Sequence, residues 1–370
     1  MEFTVRNDEL VKALNIVKGT FGSKHIPALN NIYFEADANG TVTVKSSNGG
    51  ETTTTRFMAR VQQDGKALID GFTISRVAAT FADGDVTIRR VPNTFHVEVI
   101  HPTGELEIEG TDPDFFVHPQ EVTEQSSFVI PSKEFNQALE KVAFARANNH
   151  SNNKLNGIAI IIDNGKTHLF ATDLTRVAKY VFDTPAADDI NVVLAPETIK
   201  ALSSVTGNIA VRLSDSAVLL ETNDTSYQGV VMAQQFPLAV NNYFLAPEHA
   251  SLTVQKEALK DILTRVSIVS KAGKDDPYAD FHFKSSGELE IQFKGTRGKV
   301  KTEKLPTKHN GPDVYLRLSV DKILETLKII DKDEVEIVFP KGKQGVVSLI
   351  IYPEGSRDYG VFNMSIQTGA

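Results

Sequence analysis

Hydrophobic positions along this chain follow a pattern that recurs three times. Segments beginning at Phe3, Phe128 and Leu252 align without a gap, at offsets of 125 and then 124 residues. In each segment, apolar residues first alternate with polar ones and then recur at steps of four and three, as they do over residues 10–17. Alternation is typical of a half-buried strand, and the longer steps are typical of one face of a helix. The pattern therefore predicts a strand that leads into an amphipathic helix in each copy.

A second alignment, half a repeat later, predicts another strand and helix in each copy. The positions that close the strand are Leu68, Val193 and Leu318, and the helical positions begin at Ile74, Ile199 and Leu324. The remaining stretches alternate between Gly, Asn and Asp turns, which is typical of antiparallel strands. We therefore expect an α+β chain of three repeated domains, residues 1–122, 123–247 and 248–370, each with two strand–helix half-repeats. Sheets should lie outside and helices inside. The three domains should form an arc that either closes with a second copy, the commoner outcome, or continues as a filament.

Composition limits the class of protein further. The 370 residues are 41% hydrophobic and include no Cys, which excludes disulfides, thiolate zinc sites and iron–sulfur clusters. The N-terminus does not resemble a signal peptide and no apolar run approaches the roughly 18 residues of a membrane span. We therefore expect a soluble protein of the reducing cytoplasm. The net charge of −8 argues against gripping nucleic acid over the whole surface, but it allows a locally basic channel.

Motifs that would indicate catalysis are missing from the sequence. The nine His residues are scattered, and no two have the spacing of a helical metal site. No predicted strand is followed by a glycine-rich phosphate loop, and no serine lies in a G-x-S-x-G turn. We therefore expect no enzyme activity, no metal and no cofactor.

One segment, residues 154–178, carries a more specific pattern. It contains a Leu-Asn-Gly entry, two strands joined by a turn, and the run Ala171-Thr172-Asp173-Leu174-Thr175-Arg176. Taken alone, the run predicts that Asp173 caps a short helical turn and pairs with Arg176, three residues further on. Such a local pair indicates structure rather than function.

Six motifs occur in order over the full length. They are Met1-x-Phe3-Thr4-Val5, Ile26-Pro27-Ala28-Leu29-Asn30-Asn31-Ile32, Leu155-Asn156-Gly157, Ala171-Thr172-Asp173, Phe236-Pro237 and Tyr359-Gly360-Val361-Phe362-Asn363-Met364. With them the chain resembles the bacterial β sliding clamp (DNA polymerase III beta subunit) family. The family implies the DNA clamp fold, with three domains per chain and a head-to-tail homodimeric ring whose central hole is lined by twelve helices. Duplex DNA is threaded through the hole without sequence preference, so the implied function is that of a processivity factor in DNA replication.

The resemblance also implies a pocket that binds short peptide motifs of DNA polymerase, the clamp loader and repair proteins. Its implied residues are Leu155, Thr172, Leu174, Thr175, Arg176, Val177, Pro237, Val361, Phe362 and Met364. A groove of aliphatic and Met side chains suits Leu or Phe anchors of an extended peptide. Leu174 and Thr175 stand where the family usually has a small residue and then an aromatic residue or His, and Asn363 replaces a common Pro. Peptide preference should therefore differ from that of a typical clamp.

Candidate DNA contacts come from family positions and from basic residues on the predicted helices. They are Lys24, Arg146, Asn149, Lys154 and Lys200. The predicted helices carry twelve basic and ten acidic residues, so they are +2 while the rest of the chain is −10. This distribution suits weak attraction of phosphates without base contacts, although ordinary amphipathic helices would give a similar count. Phe72, Thr73 and Glu197 lie where clamps often have Lys or Arg.

The implied dimer interface pairs an edge strand of the first domain with an edge strand of the third domain of the other chain. Its candidates are Glu105, Leu106, Glu107, Ile108, Ile268, Val269, Arg297, Lys299 and Lys301. Alternation places the acidic residues on one face and leaves Leu106 and Ile108 to pack against Ile268 and Val269. The first strand is acidic and the second basic, the reverse of many clamps. The alternative to an interface is that both strands are solvated edges of their sheets, whose charges only prevent aggregation.

The sequence leaves two other functions open. A clamp paralogue, for example one encoded by a mobile element, would bind clamp partners without a replicative role. A transferase built from similar α/β repeats, such as the enolpyruvyl transferases, would bring Lys, Arg and Asp together between domains.

Overall fold

The computed structural model describes residues 1–22, 26–119, 122, 126–184, 190–196, 198–199, 207–214, 216–231, 236, 238–270, 277–295, 300–342 and 347–366. The chain divides into two compact units. The first unit is formed mainly by residues 1–136 and 194–233, and the second mainly by residues 137–184 and 234–370. The division into three repeated domains stays a prediction.

Helices are short and far apart in the sequence. Those whose bounds fall within the described residues are α1 (Asn7–Val17), α2 (Gly71–Ala78), α3 (Ser132–Ala143), α4 (Asn242–Leu245), α5 (Lys256–Ser270) and α6 (Val320–Ile329). Short 3-10 helices cover Lys18–Thr20, Pro27–Asn30, Pro113–Phe115, Asn153–Leu155 and Leu238–Asn241. None of the described helices combines the length and apolar character needed to cross a membrane.

Strands make up most of the regular structure. In chain order they are β1 (Glu2–Arg6), β2 (Asn31–Ala36), β3 (Thr41–Ser47), β4 (Thr52–Met58), β5 (Arg60–Gln63), β6 (Gly65–Asp70), β7 (Asp85–Arg90), β8 (Val97–His101), β9 (Gly104–Ile108), β10 (Gly110–Thr111), β11 (Ser126–Pro131), β12 (Ile158–Asp163), β13 (Lys166–Thr172), β14 (Arg176–Asp183), β15 (Ile190–Leu194), β16 (Asn208–Leu213), β17 (Ala217–Glu221), β18 (Thr225–Val230), β19 (Glu248–Gln255), β20 (Tyr278–Lys284), β21 (Glu288–Lys294), β22 (Val300–Pro306), β23 (Lys308–Asn310), β24 (Val314–Ser319), β25 (Glu334–Pro340), β26 (Ser348–Pro353) and β27 (Tyr359–Met364).

Each unit contains two of the described sheets. The first unit has a five-stranded sheet of order β5-β1-β7-β8-β9 and a nine-stranded sheet of order β10-β6-β2-β3-β4-β18-β17-β16-β11. The second unit has a nine-stranded sheet of order β15-β12-β13-β14-β27-β26-β25-β19-β23 and a four-stranded sheet of order β22-β21-β20-β24. Strands joined by tight turns, such as β12 and β13, pair antiparallel, as the turn residues predict.

The strand-to-helix succession occurs where the repeat predicts it. The first half-repeat is seen as β1 with α1, β11 with α3, and β19 with α5, and the second as β6 with α2 and β24 with α6. The sixth predicted helix, around Ile199, extends beyond the described residues. Two of the helix starts carry side-chain caps: Asp70 Oδ1 accepts from Thr73 N at 2.7 Å, and Ser319 Oγ accepts from Lys322 N at 3.4 Å. These bonds satisfy amides that have no partner inside the helix.

The apolar residues that recur with the helical period are buried in the structure. In α1, Leu10, Leu14 and Val17 are buried in a cluster that also contains Phe3 of β1 and Ile74 of α2. In α5 the equivalent positions are also buried, at Leu259, Leu263 and Val266. Burial of this apolar stripe drives the helices onto the sheets.

Replacement of Leu14 by Ala tests the packing of α1. Leu14 is 2% exposed, so Leu14→Ala should lower the free energy of unfolding by about 2–5 kcal/mol through lost burial and a cavity. The matched control is Lys12→Ala on the exposed side of the same helix, which should change it by less than about 0.5 kcal/mol. Urea denaturation followed by circular dichroism measures both, and equal effects would contradict the packing described here.

Candidate functional site

Two segments far apart in the sequence meet in the nine-stranded sheet of the second unit. β13 and β14 form a hairpin whose last pair is Thr172 with Val177. The C-terminal strand β27 pairs with the other edge of β14, so that Val177 lies opposite Phe362. The sheet therefore places the hairpin tip, residues 173–175, beside the end of β27.

A mostly apolar cavity opens at this junction, and we call it the apolar pocket. Its volume is about 210 Å³, and its lining residues are Asn152, Lys154, Leu155, Thr172, Leu174, Val177, Phe236, Val240, Tyr243, Phe362 and Met364. Tyr243 and Phe362 stack, with ring centroids 4.4 Å apart and planes inclined by 16°. Such a wall of rings and aliphatic chains suits the side chain of an apolar ligand.

A second cavity, the adjacent cavity, lies on the other side of Met364. Its volume is about 370 Å³, and its lining residues are Thr175, Tyr278, Leu318, Ser319, Lys322, Ile323, Asn363, Met364, Ser365 and Ile366. Met364 lines both cavities and is 45% exposed. The two cavities are therefore neighbours, one mainly apolar and the other more polar, and we refer to them together as the groove.

Six of the ten residues that the family resemblance implies line the apolar pocket. They are Leu155, Thr172, Leu174, Val177, Phe362 and Met364. Thr175 lines the adjacent cavity instead, and Pro237 lies outside the described residues.

Two of the implied lining residues need correction. Val361 is fully buried within the sheet, between Ala178 and Ile351. Arg176 is also buried and lines neither cavity, and its side chain is paired with Asp173 and Glu325. Neither side chain is therefore available as pocket wall.

Residues near α4 complete the pocket, and sequence reasoning missed them. Val240 and Tyr243 lie in the short helical segment 238–245, which has no clear periodicity. Lys179 of β14 donates to Asn241 Oδ1 of this segment at 2.8 Å and lies over the rings of Phe170 and Phe244. Burial, and to a smaller extent the charge of Lys166, lowers the pKa of Lys179. The lysine thus ties the wall of the pocket to the sheet beneath it.

Four charged side chains, which we call the ion cluster, hold the hairpin tip. They are Asp173, Arg176, Lys322 and Glu325. Asp173 Oδ2 lies 3.1 Å from Arg176 Nε and 3.2 Å from Lys322 Nζ. Arg176 Nη1 donates to Glu325 Oε2 at 2.5 Å. The predicted pair of Asp173 with Arg176 is present, but the segment is the tip of the β13–β14 hairpin and not a short helical turn.

Asp173 is largely buried, and its environment favours the ionised form. Burial by itself raises the pKa of this carboxyl group. The hydrogen bonds from Thr175 and the charges of Arg176 and Lys322 outweigh burial, so the pKa lies below its ordinary value. Ionised acceptors form stronger hydrogen bonds than neutral ones, which suits Asp173 to hold the turn at neutral pH.

Candidate DNA contacts are only partly described. Asn149 is exposed, whereas Arg146 is half-buried and donates to the carbonyl oxygen of Asn156 at 3.1 Å. Lys154 lines the apolar pocket, and Lys24 and Lys200 lie outside the described residues. Within the described residues no group of His, Asp and Glu could hold a metal ion.

The two edge strands of the expected dimer interface are partly exposed. β9 ends the five-stranded sheet, and Glu105 and Glu107 are exposed on it. Leu106 is 37% exposed, but Ile108 is 3% exposed in the core of the first unit. Ile108 therefore has to be removed from the interface candidates, because its own chain already covers it.

The matching edge belongs to the second unit. β22 ends the four-stranded sheet, and Lys301 is exposed on it. Ile268 and Val269 are 70% and 39% exposed on α5. Arg297 and Lys299 lie outside the described residues.

Comparison with known proteins identifies the fold. The family model of the DNA polymerase III beta subunit, central domain, matches residues 129–238. The crystal structure of the DNA polymerase III subunit beta from Pseudomonas aeruginosa superposes with a TM-score of 0.90 at 17% identity, covering 99% of this chain and 100% of that one. The sliding clamp structure from Bacillus subtilis also gives 0.90 at 17% identity, with full coverage of both chains. The chain has the β sliding clamp fold.

Sequence relatives agree with this result. The beta sliding clamp of Halalkalibacterium halodurans is 22% identical over 362 residues, which cover 92% of this chain and 93% of that protein. That of Lactococcus lactis is 23% identical over 359 residues, with 92% of each covered. The resemblance to β sliding clamps that the motifs predict is confirmed, and so is the α+β fold class.

Leu174 at the tip of the hairpin tests the local backbone geometry. Its φ is 76°, in the left-handed region that favours glycine, at a cost of about 1–3 kcal/mol. Leu174→Gly should therefore leave the free energy of unfolding unchanged or raise it by about 1 kcal/mol. The control Lys12→Gly, at an exposed residue in the interior of α1, should lower it by about 1 kcal/mol. A comparable loss for both variants in urea denaturation would contradict backbone strain at Leu174.

Proposed function

We propose that this protein is a DNA sliding clamp, a non-enzymatic processivity factor. It encircles duplex DNA as a head-to-tail dimeric ring and tethers DNA polymerase, the clamp loader and repair proteins. Support comes from relatives named beta sliding clamp that align with about nine-tenths of the chain. The three-domain division of the family is part of the proposal.

The observation that carries the proposal is the groove beside the hairpin tip. Its apolar pocket is open to solvent, is built from rings and aliphatic chains, and has Lys154 and Asn152 among its lining residues. A short extended peptide binds best where one or two apolar side chains fill such a pocket while its backbone stays at a polar rim. A sliding clamp from Pseudomonas aeruginosa has been solved bound to griselimycin. The groove of the present chain is the site we assign to partner peptides.

DNA should be held in a different way from the peptide. A ring that slides has to attract phosphates without gripping bases, because base contacts would stop it at particular sequences. Arg146, Asn149 and Lys154, with Lys24 and Lys200, remain our candidates for phosphate contacts. Association with duplex DNA should therefore be weak, independent of sequence and steeply reduced by salt.

Complementary charges support closure of the ring through the two sheet edges. Glu105 and Glu107 would face Lys301 of the second copy, together with Arg297 and Lys299. Leu106 would pack near Ile268 and Val269, which are exposed in the isolated chain. Opposite charges on paired edges favour one partner and one register.

A clamp paralogue without a replicative role is the second candidate function. It is favoured by the departures from the family pattern at Leu174, Thr175 and Asn363, all of which line the groove. Such a protein would bind partner peptides yet leave the processivity of the polymerase unchanged.

A charge placed at the centre of the groove tests peptide binding. Met364→Asp should weaken binding of labelled synthetic pentapeptides with Leu and Phe anchors by about 30-fold or more, the effect of losing a binding hot spot. Met58→Asp, at a Met that is 70% exposed in the first unit, is the matched control and should bind as the parent does. Fluorescence anisotropy gives both affinities, and equal binding by the two variants would remove the groove as the peptide site.

Charge reversal tests the dimer interface. Glu105→Lys with Glu107→Lys should give monomers, because the two new lysines would face the basic residues of the other copy and repel them. Adding Lys299→Glu with Lys301→Glu should restore the dimer. Sedimentation velocity at low and high salt separates the species, and a dimer that persists in the first variant would exclude this interface.

A further inference from the structure

Leu174 lines the apolar pocket from a backbone conformation that leucine rarely adopts. Its φ of 76° belongs to the left-handed region, and its side chain is 60% exposed at the hairpin tip. A non-glycine residue keeps such a conformation only where its surroundings enforce it. The contacts of residues 172–176 supply such surroundings.

Neighbouring side chains hold the turn through its backbone. Thr172 Oγ1 accepts from Leu174 N at 3.1 Å and donates to the carbonyl oxygen of Arg176 at 2.7 Å. Asp173 Oδ1 accepts from Thr175 N at 3.0 Å and from Arg176 N at 3.1 Å. Every backbone amide from Leu174 to Arg176 thus donates to one of two side chains.

Asp173 itself is fixed from the third-repeat helix α6. Lys322 contacts Asp173 Oδ2 at 3.2 Å and also donates to Thr175 Oγ1. Arg176 is anchored to Glu325 and donates to the carbonyl oxygen of Phe144 at 2.9 Å. A buried carboxylate between two cations has little freedom to leave this position, because each ion would lose its partner in a place with little water.

We propose that the ion cluster is a positioning device that holds Leu174 in its left-handed conformation and so preforms the apolar pocket. This proposal rests on the proposed function, because it concerns the same groove. Lys322 of α6 is a positioning residue for a pocket wall that belongs to the hairpin. The peptide then binds a wall that is already in place. Binding does not have to order the hairpin tip, so the affinity for the peptide is not reduced by that cost.

Loss of Lys322 measures this effect. Lys322→Met removes the contacts to both Asp173 and Thr175. If the left-handed tip then falls to about one molecule in ten, affinity for the pentapeptide probes falls about tenfold. Lys322→Arg keeps the charge and should restore most of the affinity. Lys328→Met, at an exposed residue of the same helix, is the matched control and should bind as the parent does.

Lys322 lines the adjacent cavity, so a direct contact with peptide has to be separated from positioning. Glycine adopts a φ of 76° without help. The Leu174→Gly variant should have a lower affinity than the parent to begin with. Adding Lys322→Met to that variant should therefore change its affinity by less than about twofold. A tenfold loss in both backgrounds would mean that Lys322 contacts the peptide, and it would overturn the proposal.

Hydrogen exchange of the free protein tests the turn without any ligand. The amides of Thr175 and Arg176 should exchange faster in Lys322→Met than in the parent or in Lys328→Met. Unchanged exchange would overturn the proposal. Failure of the parent protein to bind any probe would instead count against the proposed function, while the exchange result still decides whether the ion cluster holds the turn.

Discussion

Antiparallel pairing of β14 with β27 is the interaction on which the candidate site depends. It joins Arg176 to Asn363 and Val177 to Phe362, positions about 185 residues apart in the sequence. Without this register, Leu155 and Leu174 would not share a pocket with Met364. A slip of one residue would turn Phe362 to the opposite face of the sheet and bring Asn363 into the apolar pocket. Tyr359–Asn363 are all buried, so such a slip would misplace buried side chains on both faces of β27.

Two kinds of support stabilise the pocket on this sheet. On one side, Lys179 holds the segment around α4, and thereby Val240 and Tyr243, through a hydrogen bond to Asn241 and a cation–π contact with Phe244. On the other side, the ion cluster holds the hairpin tip. Buried ion pairs contribute little net stability, because desolvation offsets much of their attraction. They do raise the free energy of every conformation in which one charged partner is left unpaired. The ion cluster therefore fixes the conformation of the hairpin tip more than it stabilises the fold.

Periodic burial was the part of the structure that the sequence predicted well. Leu10, Leu14 and Val17 recur with the helical period because one face of α1 meets the core, and the same reason holds for α5. The resemblance also brought Leu174 and Phe362 into one site. These inferences depend on local pattern or on motifs, both of which can be read along the chain.

Contacts between distant residues could not be predicted in this way. The motifs imply Arg176 as a pocket residue, but it pairs with Glu325, 149 residues later, and lines neither cavity. Tyr243 stacks on Phe362 from a segment without periodicity. Ile108 shares a strand face with Leu106, yet alternation cannot tell which face meets the core or how far along the strand the core extends.

Topological linkage to DNA is the central claim, and retention on circular DNA tests it most directly. The protein would be placed on nicked circular duplex DNA with its cognate loader, separated by gel filtration in high salt, and separated again after a restriction enzyme has made the DNA linear. A sliding ring stays with the circle in salt that abolishes phosphate contacts, and it leaves the linear molecule by running off the ends. Release from the intact circle by salt alone, or retention on the linear DNA, would contradict the account.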